Sequence, residues 1–119
     1  MKLFNTYGPC FGISIYRWKQ FTIELWFVPP GYSIPKHSHP REDIELYHVF
    51  GKAVFCREFG NDLAKVTMPL WSKLKHFTVP QGWDHWFETN TTWLVFFNVA
   101  KWDCLQNPTS ASKDFQLAK

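Results

Sequence analysis

Two of the five histidines in this chain, His37 and His39, stand on either side of Ser38. In an extended segment, residues two apart project to the same side. The pair therefore presents two imidazoles that can share one cation at about 2.0–2.1 Å. Neutral imidazole is the commonest metal ligand and suits iron, manganese, nickel and zinc. A third histidine, His85, follows the turn signal Pro80-Gln81-Gly82 at the start of a strand. Carboxylates able to complete a ligand set, Glu42, Asp43 and Glu45, come soon after the histidine pair. Taken singly these pieces are ordinary, since two histidines in a polar loop are more often just exposed.

Their order says more. Gly31 is followed after five residues by His37-Ser-His39, then by a carboxylate-bearing strand that closes at Gly51. About thirty residues later comes Pro80-Gln-Gly82-Trp-Asp-His85. The arrangement resembles the two motifs of the cupin superfamily. The first is Gly, five residues, His-x-His, three or four residues, Glu, six residues and Gly; the second is Pro-x-Gly-x-x-His. The resemblance covers most of the chain, from about Thr22 to Ala100. It implies a jelly-roll, or double-stranded β-barrel, that holds a divalent metal ion (iron, manganese, nickel or zinc) through His37, His39, His85 and one carboxylate.

The chain departs from the pattern at that carboxylate, where the glutamate position is occupied by Ile44. Glu45 is the favoured ligand, because Glu45-Leu-Tyr-His-Val-Phe-Gly51 resembles the family's glutamate-bearing strand with one residue lost before the glycine. Asp43 is the alternative and Glu42 a more distant third. On the Glu45 register, Glu45, Tyr47 and Val49 face the pocket, and Leu46, His48 and Phe50 face away. Tyr47 and His48 are then the candidate catalytic acid or base, His48 entering the pocket on a one-residue slip. His76 is expected at the barrel mouth, and for His48 and His76 the plainer reading is a hydrogen-bonded or exposed imidazole.

The elements that must position these groups are strands. Gly12–Trp18 and Gln20–Val28 are rich in β-branched and aromatic residues with a rough period of two. Pro29-Pro30-Gly31 ends the second, and the polar stretch to Asp43 reads as a loop. Ile44–Phe50 and Lys52–Phe59 form a hairpin at Gly51. Leu63–Trp71 and Lys75–Val79 flank a short lysine-bearing loop, and His85–Glu88 with Thr92–Ala100 form the last pair. Eight or so short strands with no long amphipathic helix predict an all-β, antiparallel jelly roll. Residues 1–102 form one cupin-like barrel domain, and 103–119 form a polar tail, disordered or folded back as a short helix.

A chain of 119 residues supports one core. Its formal charge of +3 comes from scattered Lys and Arg, with no basic groove for nucleic acid and no room for a DNA-binding helical domain. Cys10, Cys56 and Cys104 lie far apart without a CxxC pair, so neither a disulfide framework nor a cysteine metal site is signalled. Neither a signal-peptide core nor an apolar run of membrane length appears, so a cytoplasmic location is expected and no membrane partner. Twelve Phe and seven Trp exceed what a small core hides easily. The surplus points to a pocket and an oligomer interface, with a homodimer formed through Met1–Phe11 (Leu3, Phe4, Tyr7, Phe11) as the expectation.

Three histidines and one carboxylate leave two positions open on a six-coordinate ion. The resemblance implies a metal-dependent enzyme acting on a small oxygenated organic substrate, of dioxygenase, isomerase or lyase type. The alternative is a non-catalytic, metal-organised module that binds a sugar or other small molecule. A structural barrel with adventitious metal is a third reading.

Overall fold

The alternation seen in the sequence becomes a physical two-sidedness. In the computed structural model, which describes residues 4–18, 21–39, 42–88, 91–102 and 116–117, Thr22, Glu24, Trp26 and Val28 are buried, while the residues between them are only partly so. Such a segment is stable only as a strand with one face on a core.

Eleven strands are formed among the described residues: β1 Phe4–Tyr7, β2 Cys10–Trp18, β3 Phe21–Val28, β4 His37–Ser38, β5 Glu42–Phe50, β6 Ala53–Phe59, β7 Asp62–Met68, β8 Trp71–Val79, β9 Asp84–Glu88, β10 Leu94–Trp102 and β11 Gln116–Leu117. They make two antiparallel sheets, ordered β1-β2-β3-β10-β5-β8 and β11-β4-β9-β6-β7. No helix occurs among the described residues, so none is long and apolar enough to cross a membrane. The all-β double-stranded barrel expected from the sequence is the fold observed.

The core lies between the inner faces. Phe55 meets Phe77 at 4.7 Å and Phe87 meets Phe96 at 5.0 Å between ring centroids, so aromatic pairs bridge the two sheets. Ile44, Val28, Leu94 and Met68 fill the spaces between them, each almost wholly buried. Glycine is required where the chain turns most sharply. Gly51 has φ 115°, and a Cβ there would lie 2.2 Å from the Trp93 carbonyl oxygen, a distance no side chain tolerates.

Some elements differ from the sequence reading. The stretch read as a loop before Asp43 contains β4, and β5 begins at Glu42. The lysine-bearing loop is a bulge inside β8: Lys73 and Leu74 take φ values of 55° and 60°, and pairing with β5 shifts register between His48 and Phe50. Within the segment expected to pack or exchange, Phe4–Tyr7 forms β1 and pairs with β2 of the same chain. Leu3 and Cys104 lie outside the described residues. The tail returns as strand rather than helix at Gln116–Leu117, which pairs with Ser38 and His37.

Candidate metal centre

Antiparallel pairing of β4 with β9 sets His37 directly opposite His85. Two segments almost fifty residues apart in the chain are thus joined by backbone hydrogen bonds at the very residues that matter. Two type II turns prepare this meeting. Tyr32 N–H donates to the Pro29 carbonyl (3.3 Å) with Gly31 at φ 82°, and Trp83 N–H donates to the Pro80 carbonyl (3.2 Å) with Gly82 at φ 80°. Positive φ at the third turn position is what glycine supplies at no steric cost. The His39 carbonyl then accepts from Gly82 N–H (3.2 Å) and from Glu42 N–H (3.4 Å), tying the second turn to the histidine pair.

The result is three imidazoles around one point. Ring centroids lie 4.0 Å apart for His37 and His85, 5.1 Å for His39 and His85, and 5.2 Å for His37 and His39. One ligand atom from each lies within 4.8 Å of the others. All three side chains are buried.

Their protonation suits a metal. Burial pushes His37 down to about 4, against the pull of the Pro35 carbonyl. Burial also holds His85 well below the ordinary range, and the neighbouring His37 and His39 add to the effect. These rings are neutral at physiological pH, the form that binds a cation. Nδ1 of His37 lies 2.7 Å from the Pro35 carbonyl oxygen, which can only accept. That contact makes Nδ1–H the donor and Nε2 the lone-pair nitrogen, the outer hydrogen bond that commonly orients a ligating histidine. Three buried imidazole donors fit iron, manganese, nickel or zinc.

The carboxylate assignment needs correction. Glu45 points to the outer face, where its Oε1 lies 3.1 Å from His76 Nε2. Ile44, Leu46 and His48 occupy the inner face instead. The register is opposite to the one expected, because placing Glu45 inward would expel Ile44 and Leu46 from the core. Asp43 is exposed and accepts from the Gln81 N–H (3.2 Å), so it steadies the second turn rather than reaching the histidines. Glu42 is fully buried on the inner side of the strand, but it does not join the imidazole cluster.

Both catalytic candidates are corrected too. Tyr47 lies outside the barrel, stacked on His76 at 4.6 Å. His48 is inside, but its Nδ1 meets Ser72 Oγ at 2.5 Å and its Nε2 donates to the Gly51 carbonyl at 2.8 Å. With both nitrogens engaged it braces the bulge of β8, and burial lowers its pKa. His76 sits on the outer face of edge strand β8, not at the mouth of the cavity that holds the histidines.

The three imidazoles open into a cavity walled by Trp26, Phe87, Phe96 and Leu46. Three polar side chains share that lining and were not singled out as site residues: Tyr7, Cys10 and Asn98. Cys10 is protonated, its pKa raised to about 11 by burial. The signal for Asn98 was present, as an amide inside the otherwise apolar run Leu94–Ala100. Tyr7 carried no such mark, since only the β1–β2 pairing turns it toward the cavity.

No family model matches this chain, and no curated protein sequence does. Similar solved structures are nevertheless numerous. A double-stranded β-helix protein from Klebsiella pneumoniae is 16% identical, with a TM-score of 0.66 over 97% of this chain and 89% of that one. The capsular polysaccharide assembling protein CapF from Staphylococcus aureus is 16% identical, with a TM-score of 0.75 over 98% of this chain and 34% of that one. An oxalate oxidase in complex with the substrate analogue glycolate is 17% identical, with a TM-score of 0.61 over 73% of this chain and 44% of that one. This chain therefore spans most of the first and less than half of the other two. The likeness is one of fold: the chain has the double-stranded β-helix architecture of cupins.

Proposed function

We propose that this protein is a metal-dependent enzyme acting on a small oxygenated organic substrate, with His37, His39 and His85 holding one divalent ion. The observation that carries the reading is the buried trio of imidazoles opening into an aromatic-walled cavity. When bound, the ion supplies Lewis acidity toward a substrate oxygen. The chain's own residues do the rest. Trp26, Phe87 and Phe96 exclude water, and three protein donors leave room for substrate atoms at the ion. The Tyr7 hydroxyl, in the cavity lining and hydrogen-bonded to Tyr32, is the group placed to move a proton.

A second reading has its own support. Among the described residues, the lining of this cavity contains no carboxylate and no lysine. A site so poor in acid–base groups also suits a module that binds a small molecule without turning it over. Turnover of candidate oxygenated acids by metal-loaded protein separates the two.

Exposed Phe4, Ile15 and Trp18 on β1 and β2 support a homodimer as the working state. Elemental analysis tests the centre directly. Near one equivalent of metal is expected in the purified protein, less than a tenth of that in His85→Ala, and an unchanged amount in Glu45→Gln. Retention of metal by His85→Ala refutes the assignment.

A further inference from the structure

Asn98 is 6% exposed and lines the cavity that the three histidines open into. Its side-chain amide makes no hydrogen bond among the described residues. Neither its Oδ1 nor its Nδ2 is among the fully buried polar atoms left without a partner, so the amide faces the open space of the cavity, where a ligand can reach it. The neighbours do not satisfy it. On the inner face Asn98 stands between Glu24 of β3 and Leu46 of β5. Leu46 has nothing to offer, and Glu24 is engaged elsewhere: its carboxyl accepts from Asn5 Nδ2 at 2.5 Å and from Trp26 Nε1 at 3.4 Å.

We propose that Asn98 reads the substrate, hydrogen-bonding the part of it that does not touch the metal. This inference rests on the metal-centre reading above and adds a ligand class to it. An amide both donates and accepts, so it recognises a hydroxyl or a carbonyl. Among the described residues no lysine or arginine lines the cavity, so a second carboxylate there would be buried without a counter-charge. The end of the ligand read by Asn98 is therefore uncharged. The cavity is small, about 70 Å³, so the ligand must be short. The class that fits is a short hydroxy or keto compound, bound to the ion through one oxygenated end and carrying a further hydroxyl or carbonyl.

Lactate and glycerate present the same metal-binding end and differ by one remote hydroxyl, which makes them the probes. Calorimetry is run on protein carrying its own metal, for the natural chain and for Asn98→Leu, with Asn98→Ala in reserve should leucine disturb folding. The natural protein is expected to prefer glycerate by about tenfold, the worth of one buried hydrogen bond, and the preference falls to about one in the variant. Metal content stays constant, and thermal stability is retained because no hydrogen bond within the fold is lost. A preference that survives Asn98→Leu overturns this inference and leaves the metal centre standing. So does a marked loss of thermal stability with no change in preference, which identifies a structural amide. Failure of metal-loaded natural protein to bind either acid overturns both this inference and the substrate class proposed above. Absence of metal overturns the centre itself.

Discussion

Gly12→Ala tests whether the wall of the cavity is packed as described. Gly12 on β2 opposes Trp26 on β3, and the indole lies flat over the glycine where a side chain would otherwise stand. A Cβ built on Gly12 would sit 2.5, 2.7 and 2.8 Å from three indole carbons. Trp26 is 8% exposed and tied to Glu24 through Nε1, so the ring cannot retreat freely. Overpacking of this kind costs about 1–3 kcal/mol, and loss of the indole hydrogen bond adds about 1 kcal/mol. Replacing glycine in a strand returns about 0.5–1 kcal/mol. The net expectation is a loss of about 1–3.5 kcal/mol. For 119 residues the entropy of unfolding is about 0.25 kcal/mol/K. The Tm should therefore fall by about 4–14 °C, measured by thermal melts and checked by urea denaturation. Gly60→Ala is the control, for Gly60 has φ 59° and open space around it, so backbone strain acts there without a clash. That strain costs about 1–2 kcal/mol. A Gly12→Ala protein as stable as the natural one would refute the packing of Trp26 against β2, and with it the shape of the cavity.

Acid should loosen the metal-free protein before its carboxylates titrate. His37 has a folded value of about 4 against an ordinary 6.5, so between these the unfolded chain binds a proton that the folded chain refuses. Stability is then present above 6.5 and lost as pH falls toward 4; from about pH 7.5 to about pH 5 the loss from His37 alone is about 2 kcal/mol. His48 and His85 shift the same way and add to it. Urea melts across that range check the slope, and a flat profile would contradict the burial of neutral imidazoles. Sedimentation should show a dimer at micromolar concentration, with Trp18→Ser driving it toward monomer. A natural chain that sediments as a monomer removes the dimer.

Much of the architecture could be read from local chemistry. Pro-Pro-Gly31 and Pro-Gln-Gly82 are turns because of what proline and glycine permit, and β3 is a strand because its residues alternate. The three imidazoles were legible as well, since a strict spacing on either side of two forced turns leaves little freedom. In β5 the hydrophobic alternation, not the family pattern, sets which residues face inward. In Glu42-Asp-Ile-Glu-Leu-Tyr-His-Val-Phe50, the apolar positions Ile44 and Leu46 share a parity opposite to that of Glu45, and burial followed the apolar residues.

The amino-acid sequence on its own determined the turns, the two-sided strands and the His37–His39 pair, because each depends on residues only a few positions apart. Tertiary structure decided which side of β5 faces inward, that Asn98 and Tyr7 share a cavity with the histidines, and that the tail pairs with His37. Those outcomes depend on competition among distant segments for one small interior, and no short window of sequence contains both competitors.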